Sequence, residues 1–268
     1  MIAFASNSLL CRAALKQTSI DAATFTFVRM FSGAATLWLI MKLRRGAWKE
    51  EGSWSSALAL FIYAAAFSFA YLDLSAGTGA LLLFGAVQAT MILWGFRKGE
   101  RLDAIQMVGL IVAVTGLVVL MFPGLSAPPL VGSILMVGAG VAWGIYSIRG
   151  KAGRDPIAGT AGNFLRAVPF TAAVSLILLS RARLDHAGIF YAVVSGAITS
   201  GLGYVIWYSV LPGLKAASAA TVQLSVPVLA AAGGILLLGE PLTLRYLLAS
   251  VAILGGIALV VLEKNRAP

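Results

Sequence analysis

Long, nearly unbroken runs of hydrophobic residues fill this chain, and short polar or charged stretches separate them. Each run is close to the ~20 residues that an α-helix needs to cross the hydrocarbon core of a bilayer. Continuous runs favour helices, because the strands of a membrane barrel alternate apolar and polar residues. The pattern therefore predicts an all-α integral membrane protein with ten transmembrane helices. We place them at residues 1–17, 21–43, 54–74, 76–97, 104–122, 129–150, 157–180, 187–211, 216–238 and 241–262.

A Gly-Glu pair recurs at one helix boundary in each half of the chain. Gly99-Glu100 in "RKGERLDAI" falls on Gly239-Glu240 in "LLLGEPLTL" at an offset of 140 residues. Each half then holds five helices, and an odd number makes the second half enter the membrane from the opposite side. The sequence predicts an inverted repeat, an arrangement common in secondary transporters. Its two halves comprise residues 1–122 and 129–268.

The Gly-Glu pair itself has the composition of a tight turn between helices. Gly239 suits the left-handed position just past a helix end, and Pro241 suits the first turn of the next helix. Glu240 would then meet the positive end of that next helix. We interpret the pair as a turn in preference to a chemical site, and we expect Glu240 not to touch a solute.

The positive charges between the predicted helices fall unequally on the two membrane sides. With a cytoplasmic N-terminus, the cytoplasmic connections carry thirteen Lys and Arg residues and the opposite side carries four. Cytoplasmic loops are enriched in these residues. We therefore expect both termini in the cytoplasm.

The composition excludes several classes of protein. Sixty per cent of the residues are apolar, 11% are charged and the mean hydropathy is +0.93, so the net charge of +10 is better explained by topology than by nucleic-acid binding. Cys11 and His186 are the single cysteine and histidine, which argues against a metal site. All ten acidic residues lie at or near predicted helix ends, and neither an HExxH motif nor a Walker A loop is present. We expect no enzyme activity, no catalytic residues, no metal and no cofactor.

Several motifs occur in pairs, one in each half of the chain. An arginine stands early in the second helix of each half, Arg29 in "FTFVRMFSGAA" and Arg166 in "GNFLRAVPFTAA". Small residues open the fourth helix of each half, in "SAGTGALL" and "KAASAATV", and the turns "GERL" and "GEPL" follow. Together these motifs resemble the drug/metabolite transporter superfamily, in particular its EamA-type members. The resemblance implies ten helices in two inverted halves, and it is strongest to the amino-acid exporters of the family. One departure is Pro227, midway along the ninth helix, whose counterpart is Val87.

Carriers of this kind bind their solute near the bilayer midplane, where the two repeats meet. Aromatic and amide side chains within helices are therefore the candidates, although aromatic residues can also be core packing and amides can form interhelical hydrogen bonds. Both alternatives stay open for each residue. The predicted solute-binding residues are Asn7, Tyr63, Gln88, Trp143, Tyr146, Asn163, Tyr204, Trp207 and Gln223.

Arg29 and Arg166 would be costly against lipid, so each must pair, reach an interface or line water. Helix carbonyls or the carboxylate of a solute could serve as the partner. Their matching positions in the two halves favour a structural anchor over solute binding.

Together these features predict a secondary transporter of the bacterial inner membrane that exports amino acids or similar small amphipathic metabolites by alternating access. Its partners would be a small-molecule solute and the lipid bilayer, with no nucleic acid; the oligomeric state stays open. One alternative is another inverted five-plus-five carrier, such as a sodium-coupled organic-anion transporter. A second alternative is a membrane scaffold that transports nothing.

Overall fold

The protein is described here by a computed structural model, which covers residues 1–44, 51–99, 103–122, 124, 127–150, 155–210 and 222–263. Every regular element within these ranges is helical, as the sequence predicts. We count the segments from His186 to Val210 as one helix, α8, whose middle part Ser195–Leu202 is π-helical. The helices are α1 Ile2–Gln17, α2 Ala22–Leu43, α3 Trp54–Ala70, α4 Ala76–Arg97, α5 Ala104–Met121, α6 Leu130–Gly150, α7 Pro156–Ile177, α8 His186–Val210, α9 Ser225–Leu238 and α10 Leu244–Glu263.

Six of these helices are long and apolar enough to cross a bilayer, namely α2, α4, α5, α6, α8 and α10. Helices α3 and α9 are apolar but shorter. The first turn of the predicted ninth helix lies outside the described residues, so its beginning is left as a prediction. The protein is therefore a multi-pass, all-helical membrane protein.

Most helices begin at a side chain that caps their free backbone N–H groups. Asp21, Asp103, Asp155 and Asp185 accept hydrogen bonds from the first turns of α2, α5, α7 and α8, and Asp103 forms a reciprocal capping box with Gln106. Such caps satisfy donors that the helix cannot satisfy itself. Capping thus accounts for several of the acids that the sequence places at helix ends.

The connection before α10 differs from the prediction. Gly239 has φ +63° and ψ +30°, so the left-handed position expected of it is confirmed. Pro241, however, precedes α10, which begins at Leu244 because the Thr243 hydroxyl accepts the hydrogen bond of the Tyr246 amide at 3.1 Å. A threonine N-cap, and not the proline, therefore sets the start of the helix.

Hydrogen bonds join described helix connections at each of the two ends of α2. At one end, the Ser19 hydroxyl donates to Asp185 (3.3 Å) and the Arg183 amide donates to Asp21 (2.9 Å), which joins the α1–α2 and α7–α8 connections. We call this the Asp21 end. At the opposite end, the Asp155 end, Arg44 donates to Asp155 at 3.5 Å.

The helices pack in pairs that follow a simple rule. Helix α1 packs on α8 and α9, and α6 packs on α3 and α4. Helix α2 packs on α8, and α7 packs on α3; the remaining main pairs are α2 with α7, α4 with α9, and α5 with α10. Exchanging each helix with the one five positions away reproduces this set of pairs.

Small residues make the closest of these contacts possible. A side chain at Gly140 of α6 would overlap the Leu83 carbonyl of α4, and one at Gly109 of α5 would overlap the Gly256 carbonyl of α10. Close approach through small residues is a main source of helix association in membranes. Gly196, in the π-helical part of α8, likewise has no side chain and so allows α8 to lie against the Arg29 carbonyl of α2.

Candidate functional site

A buried arginine lies at the centre of the helix bundle. Arg29 of α2 is 1% exposed, and its Nη2 donates to the Tyr63 hydroxyl of α3 at 3.1 Å. The guanidinium carbon lies 4.8 Å from the centroid of the Phe67 ring and 5.5 Å from that of Tyr63. Arg29 Nε and Nη1 are also buried, and neither has a hydrogen-bond partner among the described residues. The interior thus contains a positive group with unused donors.

An aromatic cluster extends from this arginine through the bundle. Trp143 of α6 occupies its middle, with its ring centroid 4.8 Å from Tyr63, 5.4 Å from Tyr146 and 5.3 Å from Tyr204. Five helices, from both halves of the chain, contribute rings. The aromatic cluster comprises Phe4, Tyr63, Phe67, Trp143, Tyr146, Phe164, Tyr204, Trp207 and Tyr208.

The five aromatic residues that the sequence singles out as candidates all belong to this cluster. Tyr63, Tyr146 and Tyr204 are buried. Trp143 is partly buried, and Trp207 packs edge-on against Phe4 at 6.1 Å near one margin of the cluster. The structure therefore brings together the aromatic part of the predicted site.

The four predicted amides occupy separate places, and within the described chain none bonds to another. The carbonyl oxygen of Asn7 accepts hydrogen bonds from Ser195 (2.6 Å) and Thr199 (2.8 Å), while its amide nitrogen donates to Ser200 at 3.2 Å. Asn7 is 3% exposed, so these bonds fasten α1 to the π-helical part of α8. The structure shows the interhelical hydrogen bond that the sequence left as an alternative for this residue.

Asn163 fastens another pair of elements. Its side-chain oxygen accepts from the backbone N–H of Ser53 at 2.9 Å, next to the N-terminus of α3. Gln88 of α4 is buried, and Gln223 lies partly exposed just before α9. No side-chain hydrogen bond joins either glutamine to another described residue.

A second polar cluster closes the Asp21 end. Arg12 Nε lies 3.2 Å from Glu240 Oε1, and Arg12 also donates to the carbonyls of Tyr71 and Leu72, each at 2.9 Å. Glu240 is 7% exposed, and its Oε2 accepts from the Ala76 amide at 2.8 Å. We call this set, Arg12, Glu240, Tyr71, Leu72 and Ala76, the Arg12–Glu240 latch. It connects α1, the end of α3, the start of α4 and the turn before α10.

The latch corrects one detail of the sequence interpretation. Glu240 was expected to face the positive end of α10, but its carboxylate accepts from the N-terminus of α4. The carboxylate does lie at the positive N-terminus of a helix, but that helix is α4 and not α10. Sequence distance concealed the partner, because Ala76 lies 164 residues before Glu240.

Comparison with known proteins connects this geometry to a family. Residues 130–262 match the EamA-like transporter family. An uncharacterized protein of Pseudomonas aeruginosa is 58% identical over 97% of this chain and 91% of its own length. The chain belongs to the EamA-like transporter family. This family is part of the drug/metabolite transporter superfamily that the sequence motifs indicate.

Two further relatives extend the comparison for this EamA-like transporter. A "probable amino-acid metabolite efflux pump" of Escherichia coli is 28% identical, over 68% of this chain and 66% of the pump. A known crystal structure has a TM-score of 0.68 at 17% identity and covers 99% of this chain and 96% of its own. That likeness shows the fold alone. Family membership makes the protein a membrane transporter.

The two arginines of this EamA-like transporter differ in structure although they match in sequence. Arg166 is partly exposed and donates to the carbonyls of Glu51 and Gly162, each at 3.1 Å. It anchors α7 to the residues before α3, as expected. Among the described residues, Arg29 donates to the Tyr63 hydroxyl and to no carbonyl, and it lies among aromatic rings. Matching sequence positions gave no sign of this difference.

Four further members of the cluster, Phe4, Phe67, Phe164 and Tyr208, were absent from the predicted site. Phe67 follows Tyr63 by four residues and so shares its helix face, which is a signal that the sequence does contain. Phe4 and Phe164 meet Tyr204 only through tertiary packing, at 5.7 and 5.8 Å.

Electrostatics at the Asp21 end are set by hydrogen bonds. Partial burial by itself would raise the pKa of the Asp21 carboxyl, but hydrogen bonds from Thr24, Arg183 and Ala23 outweigh it and hold this pKa below its ordinary value. The described residues contain no group of three or more His, Cys, Asp or Glu side chains placed to hold a metal ion. The groups that the candidate site offers to a ligand are hydrogen-bond donors and the faces of aromatic rings.

Proposed function

We propose that this transporter exports amino acids or similar small amphipathic metabolites across the bacterial inner membrane by alternating access. The observation that carries the proposal is the aromatic cluster around Arg29, built from both halves of the chain. Ligand sites are mostly apolar and aromatic with a few polar groups that orient the ligand, and this cluster has that character. The efflux-pump name of the Escherichia coli relative supports the solute class and the direction.

Ten spans in two inverted halves, residues 1–122 and 129–268, would supply the moving parts. The packing pairs support this arrangement, because exchanging each helix with the one five positions away leaves the set unchanged. In inverted-repeat carriers, rocking of one half against the other exposes a central site to each side in turn. Both termini would lie in the cytoplasm, as the positive charges favour.

The Arg12–Glu240 latch would close the Asp21 end when the site faces the other way. It joins the two halves through the Arg12–Glu240 ion pair and the hydrogen bond from the Ala76 amide to Glu240. Opening that end requires these bonds to part, so the latch is the element expected to differ between the two states.

Tyr63, Trp143, Tyr146, Tyr204 and Trp207 would line the site. Gln88 and Gln223 would add polar groups where the solute enters or leaves the cluster. Asn7 and Asn163 would support the walls through the hydrogen bonds described above, and direct contact of either with the solute stays a prediction.

A counterflow experiment in proteoliposomes tests the proposal. Liposomes that contain the purified transporter and an unlabelled amino acid should accumulate the labelled one in a saturable manner. Trp143→Ala and Trp207→Ala should each lower the initial rate about tenfold, because loss of an aromatic contact in a binding site costs about 1.4 kcal/mol or more. Trp94→Ala is the matched control, since Trp94 is 44% exposed on α4 and lies outside the cluster.

Particular outcomes would count against the proposal. Unchanged counterflow in both variants would remove these two tryptophans from the site. If only phosphorylated compounds moved, the solute class would be wrong, and flux that requires sodium would favour the sodium-coupled alternative. No saturable flux of any amino acid, nucleoside or sugar phosphate would favour the scaffold.

A further inference from the structure

We propose that Arg29 recognises the carboxylate of the solute, and that the transporter selects small carboxylates with an apolar or aromatic body whether or not they carry an amino group. This inference rests on the proposed function, because it names the chemical group by which the central site recognises its solute. Arg29 is a fully buried cation with unused N–H donors.

Arg29 has unsatisfied hydrogen-bonding capacity. A guanidinium has five N–H donors, and a buried donor without an acceptor is unfavourable. In the described part of the chain, Nη2 bonds to Tyr63, whereas Nε and Nη1 bond to nothing. The fork of N–H groups matches the two oxygens of a carboxylate, which it can bind with two parallel hydrogen bonds.

Arg29 also has no counter-charge within the described part of the chain. The ion pairs there are Arg12–Glu240 and Arg44–Asp155, and neither includes Arg29. Glu240, which is itself buried, is bonded to Arg12 and to the Ala76 amide. A buried positive charge without a counter-charge is unfavourable, and an anionic ligand would relieve it.

The surroundings of Arg29 define the rest of the solute. Phe67 and Tyr63 cover faces of the guanidinium, and the rings of Trp143 and Tyr204 continue from Tyr63 into the bundle. A carboxylate bound at Arg29 would therefore place its organic body against aromatic faces. Such faces attract apolar groups, aromatic rings and, more weakly, cations.

Among the described residues, no carboxylate belongs to the aromatic cluster or bonds to Arg29, so an amino group has no acidic partner there. The chain's acids lie at or near helix ends, and several of them are engaged in capping or in the latch. The ammonium of an amino acid would meet ring faces and sit close to the positive Arg29. Recognition should thus depend on the carboxylate and tolerate loss of the amine.

Arg29 should act alone in this role. Its sequence counterpart Arg166 donates hydrogen bonds to the carbonyls of Glu51 and Gly162. The inverted repeat therefore carries one arginine that anchors and one that is available, and the two provide a matched comparison.

Binding to the full-length protein in nanodiscs, measured by calorimetry, tests the inference with three probes. These are L-phenylalanine, 3-phenylpropionate, which lacks the amine, and L-phenylalaninamide, which lacks the carboxylate. We expect the two carboxylates to bind with similar affinity and the amide to bind at least about tenfold more weakly, as expected for loss of hydrogen bonds to a charged group. In Arg29→Met the preference for carboxylates over the amide should disappear, and Arg29→Lys should retain part of it.

The control and a stability measurement separate recognition from a structural role. Arg166→Lys should keep the preference for carboxylates even if it lowers the melting temperature. Arg29→Met should keep or raise the melting temperature of the solute-free protein, because it removes an uncompensated buried charge. A structural arginine would show the reverse.

Three results would overturn the inference: equal binding of the amide and the carboxylates, no saturable binding of either carboxylate, or an unchanged preference in Arg29→Met. These results differ from failure of the proposed function. Selective carboxylate binding without flux in liposomes would contradict transport and leave the Arg29 assignment standing. Flux that does not depend on a carboxylate in the solute would support transport and contradict the Arg29 assignment.

Discussion

Gly196 is a residue at which α8 lies very close to α2. A Cβ atom there would overlap the carbonyl oxygen of Arg29 and the hydroxyl of Ser32. Backbone atoms cannot yield as a flexible side-chain tip can, so Gly196→Ala should force the helices apart. We expect a loss of about 1–3 kcal/mol in stability, the usual effect of overpacking. Thermal melting of the purified protein in detergent would measure it.

A second glycine provides the control for this substitution. Gly138 lies in α6, and among the described residues no atom outside the neighbouring backbone of that helix lies within 4 Å of the Cβ position there. Gly138→Ala should therefore be neutral or slightly stabilising, since alanine favours helix formation. If both substitutions lowered the melting temperature equally, close packing at Gly196 would not be the reason.

At the scale of single residues, the sequence predicts side chains better than it predicts their partners. The aromatic candidates were found because bulky rings within apolar helices are visible in a list of residues. The partners of Asn7 lie as far as 193 positions away, which no local pattern reveals. Arg29 was grouped with Arg166 for the same reason: the sequence shows matching positions but not what surrounds each guanidinium.

The Arg12–Glu240 latch makes a prediction about how four helical elements hold together. Glu240→Ala would leave Arg12 largely buried with its charge unpaired, and such a loss typically costs about 3 kcal/mol or more. In Arg12→Met/Glu240→Ala the lone charge is gone. The double variant should therefore be less destabilised than the sum of the single variants. Melting temperatures of the wild type and the three variants complete the cycle.

The Glu240→Ala variant also tests whether the latch takes part in alternating access. If the latch closes the Asp21 end, Glu240→Ala should make cysteines introduced near that end react faster with a polar maleimide. Strictly additive losses of stability in the cycle would show that Arg12 and Glu240 do not act as a pair.

Helix bounds were predictable from the sequence because polar residues mark the ends of apolar runs. The predicted range 76–97 coincides with α4, which begins after the capping side chain of Ser75. The start of α10 was predicted three residues early because proline suits a first helical turn, whereas Thr243 provides the actual cap. The π-helical part of α8 could not be foreseen, since hydropathy does not report the hydrogen-bond register of a helix.

For the whole molecule, the two Gly-Glu turns were the main sequence signal of the inverted repeat. Gly99 and Gly239 both have positive φ, +86° and +63°, as the turn interpretation requires. Glu100 lies outside the described residues, so the comparison of the two turns rests on the glycines. The exchange of packing pairs between halves adds three-dimensional support that a sequence offset alone cannot provide.

Membrane topology is the prediction that depends on the complete arrangement. The α1–α2 and α7–α8 connections meet at the Asp21 end, with six helices between them, so they must lie on one side of the membrane. The excess of Lys and Arg in the other connections predicts that this side lies outside the cytoplasm. In a Cys11→Ser background, Ser19→Cys and Ala187→Cys should react with an impermeant maleimide in intact cells. Lys98→Cys and Ala104→Cys, at the opposite end and exposed, should react only after the membrane is opened. If Lys98→Cys and Ala104→Cys reacted in intact cells and the other two variants did not, only the predicted orientation would be overturned. If the two positions of one pair reacted differently from each other, the alternating direction of the helices, on which the inverted repeat depends, would be contradicted.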